Sequence, residues 1–299
     1  MSVVIVNPSS AGGSTGEAWP QIASDLRSQF GAFRVVFTRK RGDAAALASE
    51  AARKGAKFII ACGGDGTVSE VANGILSSGK DVELGILPSG TGDDFRRTLE
   101  IPSQSREAAR ILRTGRTVKI DVGRVSFVDH DGNEAMRYFV GVASCGMSTR
   151  VIERVKKEKV SFAASLLQTA MRTEATRLAV QLDDSHERHL NVLNLCVANA
   201  RYFGGGMKIA PDAKLTDGKF DVVGVGDLSA LKLFTSAPRV YMGSHLSMPE
   251  VSHALARKVT VRATDRNSEV ALEIDGELPG KLPATFQIIP EALRVRVNG

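Results

Sequence analysis

Gly63-Gly64-Asp65-Gly66-Thr67 is the stretch of sequence that decides the fold, because of what stands on either side of it. The apolar run Phe58 to Cys62 precedes it, and a stretch with helical spacing, Val68 to Leu76, follows it. Glycines let a phosphate approach the backbone without meeting a Cβ atom, and the first turn of a helix offers N–H groups to an anion. The pattern predicts a strand, a phosphate-binding turn and a helix; a plain turn capped by Asp65 is the alternative.

Two further loops of the same character follow predicted strands. Asn7-Pro8-Ser9-Ser10-Ala11-Gly12-Gly13 comes after Val3 to Val6, and Pro88-Ser89-Gly90-Thr91-Gly92-Asp93-Asp94 comes after Glu83 to Leu87. Each loop alone is more typical of a surface turn. In open α/β folds, however, ligands bind beyond the carboxyl ends of the strands. The three loops together therefore predict a cradle for a polyphosphate, at which the Asp65 carboxylate could hold a magnesium ion.

Short β-branched runs alternate with helical stretches as far as about residue 122, which is typical of βα units on a parallel sheet. Residues 1–124 are therefore predicted to form an open, mainly parallel α/β domain. Its predicted strands are Val3–Val6, Phe33–Thr38, Phe58–Cys62, Glu83–Leu87 and Thr117–Val122, and its predicted helices are Trp19–Phe30, Asp43–Lys54, Val68–Leu76 and Ser105–Arg113.

Strands joined by tight turns dominate after Val122, beginning with a hairpin at Asp131-Gly132. Residues 125–299 are predicted to form a β-rich, sandwich-like domain whose last strand could return to the first domain. One helical stretch, Thr149 to Arg177, interrupts it. The predicted strands are Gly123–Val128, Tyr138–Val142, Leu178–Leu182, Leu190–Val197, Phe220–Val225, Val259–Ala263, Val270–Ile274 and Thr285–Ile289.

The composition narrows the classes of function. Lys and Arg number 39 against 33 Asp and Glu, and the net charge of +6 favours an anionic partner. Aromatic residues make up only 5% and no nucleic-acid-binding motif accompanies the charge, so nucleic acid is not expected as a partner. No run approaches the roughly 18 apolar residues of a membrane span, so any membrane contact is expected to be peripheral. Three isolated cysteines favour reduced thiols in the cytoplasm.

The motifs resemble those of the bacterial diacylglycerol kinase catalytic family, of the soluble YegS and DgkB type. The three loops occur in the order of that family, and the second half adds Tyr202–Lys208, Ala210–Lys219 and Ile274-Asp275-Gly276-Glu277. The resemblance spans essentially the whole chain, although Gly-Gly-Asp-Gly-Thr alone is shared with NAD kinases and phosphofructokinases. It implies an ATP-dependent kinase of diacylglycerol or a phosphatidylglycerol-like lipid. The cysteine content and the positive charge add the expectation of a cytoplasmic protein in peripheral contact with the inner face of the membrane.

The resemblance also implies roles for individual residues. It assigns a Mg²⁺ site to Lys214, Asp217 and Lys219, where the two lysines can offer only backbone carbonyls. It makes Glu277 the general base that accepts the proton of the lipid hydroxyl, and Asp275 is the alternative base. The residues that it assigns to ATP are Asn7, Pro8, Ser9, Ser10, Ala11, Thr38, Gly64, Asp65, Gly66, Thr67, Val68, Ser69, Glu70 and Thr91.

Ala11, Ser69 and Asp93 depart from the family's usual Gly, Asn and Asn. Asp93 adds a negative charge beside phosphates, which is unfavourable unless a cation intervenes. These departures motivate one alternative function, a nucleotide or lipid sensor without turnover. A second alternative is a kinase of a soluble nucleotide or sugar, similar to NAD kinase, but it leaves the segments around Asp217 and Glu277 unexplained.

The positive charge is concentrated in residues 1–124 and in the stretch 150–177, which holds seven basic and three acidic residues. That stretch predicts an amphipathic helix that rests on an anionic membrane through Lys156, Lys157 and Lys159, with a solvated helix face as the alternative. Apolar residues such as Phe162, Leu166 and Phe234 are interpreted as core, and an acyl-chain pocket is the alternative.

Overall fold

A computed structural model describes residues 2–158, 175–265 and 268–299. The chain forms two compact units, which are Met1–Val122 with Pro290–Gly299 (unit 1) and Gly123–Ile289 (unit 2). The prediction of two domains with a strand-rich second part is confirmed. The side chains of residues 153–158 and of residue 230, and all of residues 159–174, are outside the description, so the predicted basic face with Lys156, Lys157 and Lys159 lies outside it as well.

In unit 1, strands alternate with helices, and β1, β3 and β4 are buried, as expected for strands covered on both faces. Strand β1 pairs in parallel with β2 and β3, and β3 pairs in parallel with β4. The elements are β1 Ser2–Val6, α1 Ser14–Gln29, β2 Arg34–Phe37, α2 Asp43–Arg53, β3 Phe58–Gly63, α3 Asp65–Ser78, β4 Glu83–Pro88, α4 Asp94–Thr98 and α5 Ser105–Thr114.

Residues 290–299 complete the sheet of unit 1 from the far end of the chain. Arg294 and Val295 pair in parallel with Glu83 and Leu84 of β4. The Arg296 guanidinium donates to both oxygens of the largely buried Glu83 carboxylate, at 2.6 and 3.1 Å. Burial alone would raise the pKa of Glu83, but hydrogen bonds from Arg296 and Thr117 bring it below its ordinary value. The returning strand is thus held by an ion pair as well as by the ladder.

Unit 2 is built mainly of antiparallel strands, paired in the order β11-β10-β9-β7-β13-β14, with β12 between β8 and β14. Its core includes three phenylalanine rings. The ring centroid of Phe139 lies 5.5 Å from that of Phe220 and 6.2 Å from that of Phe286. The elements, of which β5 and β14 also contribute to unit 1, are β5 Arg116–Asp129, β6 Glu134–Phe139, β7 Val142–Gly146, α6 Met147–Glu158, β8 Thr176–Leu182, β9 Arg188–Ala198, β10 Phe220–Gly226, α7 Ala230–Met242, β11 Val251–Ala256, β12 Lys258–Ala263, β13 Ala271–Ile274 and β14 Glu277–Val297.

Several boundaries differ from the sequence predictions. Helix α1 begins at Ser14, five residues before the predicted start, and α3 begins at Asp65, inside the predicted glycine loop, because the loop glycines give way directly to the first helical turn. The predicted strand Tyr138–Val142 is wrong, since it runs across the break between β6 and β7.

The sequence prediction also fails for three elements of unit 2. The predicted helix Thr149–Arg177 is wrong at its end, because β8 begins at Thr176 and pairs with β9. Helix α7 and strand β11 were not predicted at all. No helix in residues 2–158, 175–265 and 268–299 is long and apolar enough to cross a membrane.

Candidate functional site

The candidate residues of unit 1 lie in the loops that follow the carboxyl ends of its strands. Backbone hydrogen bonds join neighbouring strands where these loops begin: Asn7 N–H donates to Cys62 O at 3.0 Å, Thr38 N–H to Val6 O at 2.9 Å, and Ser89 N–H to the carbonyl of Gly63 at 3.0 Å. The loops after β1, β2, β3 and β4 therefore start at the same edge of the sheet.

Helix α3 connects three of these loops through its own side chains. The Asn7 side-chain amide, in the loop after β1, donates to Thr67 Oγ1 at 3.1 Å. Both carboxylate oxygens of Asp65 accept backbone N–H groups at the start of α4, from Asp94 at 3.1 Å and from Phe95 at 3.0 Å. Asp65 therefore caps α4, on the far side of the glycine loop that follows β4.

The Glu70 carboxylate, also on α3, holds the loop after β2 by accepting backbone hydrogen bonds. Its two carboxylate oxygens accept the N–H groups of Gly42 at 3.0 Å and Ala44 at 3.1 Å, at the start of α2. Sequence reasoning assigned Asp65 and Glu70 to the ligand and missed these bracing bonds. The only signal that could have indicated them is the position of both carboxylates in a helix that directly follows a central strand.

Burial raises the pKa of Asp65, and the nearby Asp93 carboxylate adds to the rise, while the N–H groups of Phe95 and Asp94 act in the opposite direction. A positive charge beside Asp65 would favour its ionised form. The Asp65 carboxylate is therefore a structural brace whose ionised form is stabilised by two backbone N–H groups and opposed by burial.

Two glycines in these loops are required by close packing. A Cβ atom on Gly90 would lie 2.4 Å from the Cα atom of Gly64 and 2.8 Å from Asp93 Oδ1. Gly66 is different, because a Cβ atom there would have no protein atom within 4 Å. Gly64 and Gly90 thus let two loop backbones touch, whereas Gly66 leaves open space at the start of α3.

The loop after β1 combines left-handed backbone with a chain of hydroxyl groups. Ala11, Gly12 and Gly13 have φ values of 51°, 69° and 100°. Ser10 Oγ donates to the fully buried Thr15 Oγ1 at 2.7 Å, and Thr15 Oγ1 in turn lies 2.7 Å from Ser89 Oγ in the loop after β4. Thr15, which was absent from the predicted site, therefore links the first and last of the glycine loops.

Asp93, which departs from the family's usual residue, has a cation beside it. Arg96 Nε donates to Asp93 Oδ2 at 2.9 Å, and a second guanidinium nitrogen donates to Ile101 O at 3.1 Å. Because both side chains of the pair are less than one-fifth exposed, at 17% and 12%, the pair is well shielded from solvent. The extra negative charge near the loop therefore has a counter-ion within the chain.

Not every residue that the resemblance assigned to ATP can reach a ligand with its side chain. Val68 and Ser69 are buried within α3, and Thr38 is buried at the end of β2. Ser9 and Thr91 are exposed, and Pro8, Ser10, Ala11, Gly64 and Gly66 are half-buried in the loops.

The predicted metal residues and the predicted base belong to unit 2. Lys214, Asp217 and Lys219 lie in the turn before β10, where Asp217 Oδ1 accepts the N–H of Lys219 at 3.1 Å. Burial raises the pKa of the neighbouring Asp221, His253 opposes the rise, and the carboxylates of Asp217 and Asp212 add to it. Among the described residues no group of three His, Cys, Asp or Glu side chains forms a metal cluster.

The predicted base stands directly after a tight two-residue turn. Asp275 and Gly276 have φ values of 47° and 81°, as in a hairpin between Ile274 and Glu277. The two carboxylate oxygens of Asp275 accept the N–H groups of Val140 at 3.1 Å and Gly141 at 2.9 Å. Asp275 is thus committed to holding the connection between β6 and β7, and Glu277 is half-buried beside the turn.

A buried polar network that sequence reasoning missed supports this turn. Glu273 Oε1 accepts the N–H of Gly276 at 2.6 Å, and Ser144 Oγ donates to Glu273 Oε2. Ser144 Oγ lies 2.7 Å from Ser148 Oγ, which donates to Asn194 Oδ1 at 2.9 Å. The turn that precedes Glu277 is therefore held by the buried carboxylate of Glu273.

Two protein families match this chain, one over its first part and one over its second part. The family described as "Diacylglycerol kinase catalytic domain" matches residues 1–125, and the one described as "YegS C-terminal NAD kinase beta sandwich-like domain" matches residues 139–297. The chain belongs to the diacylglycerol kinase family. The family places it among the kinases that phosphorylate an alcohol group.

Relatives of this family member cover most of its length. A diacylglycerol kinase of Mycobacterium tuberculosis (strain CDC 1551 / Oshkosh) is 32% identical over 85% of this chain and 81% of its own. One from Staphylococcus haemolyticus (strain JCSC1435) is 31% identical over 95% of this chain and 84% of its own. A crystal structure from Bacillus anthracis str. Sterne has a TM-score of 0.80 at 24% identity, over 99% of this chain and 95% of its own, which shows the fold.

Proposed function

We propose that the chain is an ATP-dependent lipid kinase that transfers the γ-phosphoryl group of ATP to a hydroxyl group of diacylglycerol or of a phosphatidylglycerol-like lipid. The observation that carries this proposal is the bracing of three strand-end loops by Thr67, Asp65 and Glu70, all on helix α3. Membership of the diacylglycerol kinase family, and relatives that are named for a lipid substrate, support it.

In this proposal unit 1 binds the triphosphate of ATP. The first N–H groups of α3 have no acceptor within the helix and carry a partial positive charge, which suits a phosphate. Gly66 leaves open space beside them, and the exposed hydroxyl groups of Ser9 and Thr91 add hydrogen-bond donors. The pairing of Asp93 with Arg96 removes the main electrostatic objection to this loop as a phosphate site.

The donor groups at Lys214, Asp217 and Lys219 fit a hard divalent cation, because a carboxylate and backbone carbonyls are oxygen ligands. Asp217 lies in the turn between the two lysines, where its Oδ1 accepts the N–H of Lys219 at 3.1 Å. When bound, Mg²⁺ would neutralise charge on the phosphates. Asp217 and the turn that it closes would hold the ion.

Glu277 acts as the general base in the proposed transfer. Its carboxylate takes the proton of the lipid hydroxyl while that oxygen forms a bond to the γ-phosphorus, and the bond from the γ-phosphorus to the ADP oxygen breaks. The products are ADP, the phosphorylated lipid and a proton on Glu277. The engagement of both Asp275 oxygens with backbone N–H groups favours Glu277 over Asp275 for this role.

The experiment that tests the proposal is phosphoryl transfer from radiolabelled ATP to dioleoylglycerol and to phosphatidylglycerol in mixed micelles, with NAD⁺ as a soluble acceptor. Labelled lipid is the expected product. Label on NAD⁺ alone would favour the NAD kinase-like alternative, which is considered because the family matched by residues 139–297 is described as an NAD kinase beta sandwich-like domain. Binding of ATP without transfer to any acceptor would favour a sensor.

Replacement of the base gives a sharper test. Glu277→Gln keeps the size of the side chain but removes the proton acceptor, so kcat should fall by at least about 100-fold. The dissociation constant for ATP, measured by calorimetry, should stay within a factor of two. Unchanged turnover would exclude Glu277 as the base.

A further inference from the structure

Helix α7 carries apolar side chains on two opposite faces. Leu233 and Val240 pack inward against clusters of buried residues in unit 2. With 3.6 residues per turn, Leu231, Phe234, Pro238 and Met242 lie on the opposite face. Leu231 is 74% exposed, Met242 68% and Phe234 58%, so the interpretation of Phe234 as core is wrong. A surface helix ordinarily turns mainly polar residues outward, whereas α7 also exposes large apolar side chains.

The exposed apolar residues are concentrated and not scattered. In the described part of the chain, four of the seven large hydrophobic side chains that are exposed lie on α7: Leu231, Phe234, Tyr241 and Met242. Single exposed apolar residues are ordinary, but a contiguous patch marks a surface that contacts something apolar.

The charges around this face indicate what it contacts. The 13 residues of α7 include two cations, Lys232 and Arg239, and no acidic residue. Both cations are exposed and lie along one edge of the apolar face, and the Lys232 ammonium also pairs with Glu250. Because Glu250 offsets the charge of Lys232, Arg239 is the cation that makes this apolar stripe complementary to a bilayer surface, where anionic headgroups lie above hydrocarbon.

Helix α7 also lies beside the segment that leads into the candidate metal turn. Lys208 N–H donates to Val240 O at 3.1 Å, and His245 Nε2, just after the helix, lies 3.0 Å from Ile209 O. A Cβ atom on Gly243 would come within 3.0 Å of Pro211 Cβ. The chain continues from this contact to Lys214, Asp217 and Lys219.

We propose that helix α7 docks on the surface of an anionic lipid bilayer. Leu231, Phe234, Pro238 and Met242 enter the boundary between headgroups and acyl chains, and Arg239 approaches the lipid phosphates. The proposal rests on the proposed function, since a lipid acceptor resides in the bilayer and docking brings the turn at Asp217 to it. This surface is separate from the basic stretch 150–177.

Vesicle binding by the full chain tests the proposal. The probe is sucrose-loaded vesicles of 30% phosphatidylglycerol in phosphatidylcholine, sedimented at low salt. The double variant Leu231→Ser/Phe234→Ser should bind at least about tenfold more weakly, because two large apolar groups no longer leave water. Arg239→Gln should weaken binding to these vesicles but not to pure phosphatidylcholine. Met136→Ser removes an apolar side chain of similar exposure, 52%, from β6 and should bind like the unaltered chain.

Three results would overturn the docking surface. The double variant binds vesicles as the unaltered chain does; or it turns a dimer into a monomer, which assigns the face to a second copy of the chain; or it melts several degrees lower than Met136→Ser, which means that the chain itself covers the face. Transfer to a short-chain diacylglycerol below its micelle concentration separates the two proposals. If the unaltered chain binds vesicles but transfers no phosphate to the short-chain diacylglycerol, the result counts against the proposed function and not against docking.

Discussion

Gly66→Ala should make the chain more stable and, at the same time, a poorer binder of ATP. A methyl group at position 66 meets no protein atom within 4 Å, and the position is helical with a φ that alanine adopts. The change should therefore stabilise unit 1 by about 0.5–1 kcal/mol, because alanine loses less backbone entropy on folding. At roughly 3–5 °C per kcal/mol for a unit of this size, Tm should rise by about 1.5–5 °C.

The same methyl group occupies the space beside the first N–H groups of α3, where the phosphates are proposed to bind. The expected loss in ATP affinity is at least about tenfold, which corresponds to about 1.4 kcal/mol. Gly90→Ala is the matched comparison, because its Cβ atom would lie 2.4 Å from Gly64 Cα. That overlap should cost about 1–3 kcal/mol and lower Tm.

Thermal melts followed by circular dichroism, with and without ATP, and calorimetric titration measure both quantities for both variants. The two alanine substitutions should move Tm in opposite directions although the chemical change is the same. An ATP affinity of Gly66→Ala within a factor of two of the unaltered chain would refute the placement of the phosphates at α3. A Gly90→Ala protein that melts like the unaltered chain would refute the contact between the two loops.

Asp275→Asn should reduce stability by about 1–3 kcal/mol in urea unfolding, because one carboxylate hydrogen bond is lost, and should lower kcat less than Glu277→Gln does; equal losses of kcat would contradict these roles. Arg296→Met leaves the buried Glu83 carboxylate with only the longer ion pair to Arg294, at 3.7 Å, and should cost about 2–4 kcal/mol at pH 7. The pKa of Glu83 is held below its ordinary value, so its stabilising effect is present above that ordinary value and is lost as the pH falls through the lowered pKa. The difference between variant and unaltered chain should therefore shrink in acid in the same unfolding assay. Ala11→Gly relieves a left-handed alanine with φ of 51° and should raise Tm by a few degrees; an unchanged Tm would mean that the turn carries no strain.

The first four strands of unit 1 could be predicted from the sequence to within about a residue, whereas Thr117–Val122 and Gly123–Val128 are one strand, β5. The predicted strands Val3–Val6, Phe58–Cys62 and Glu83–Leu87 compare with Ser2–Val6, Phe58–Gly63 and Glu83–Pro88 in the structure. Buried parallel strands appear as continuous apolar runs, so the signal is local to each segment. The glycine-rich character of the following loops is local as well, and it was enough to direct attention to the correct edge of the sheet.

The bracing carboxylates could not be predicted, because their partners are far away in sequence. Glu70 is 28 residues from Gly42, and Asp65 is 29 residues from Asp94. Nothing in a local pattern distinguishes an acidic residue that holds a loop from one that holds a ligand. Arg96, in contrast, lies three residues from Asp93 at helical spacing and could have been recognised as its partner.

Helix α7 escaped prediction for a related reason. Its apolar residues extend from the buried side round to the exposed side, which is broader than the stripe of an ordinary surface helix, and Pro238 stands inside it. The irregular pattern is explained once one side is assigned to the core and the other to the surface.

The position of residues 290–299 in the chain determines when the sheet of unit 1 can be completed during synthesis. They pair with β4 of unit 1, but the ribosome makes them only after residues 123–289. Until then the nascent first unit carries an unpaired edge at β4, the kind of edge to which other extended chains add. A message cut short anywhere in unit 2 would therefore yield a first unit with that edge open, so maturation of one unit has to wait for translation of the other.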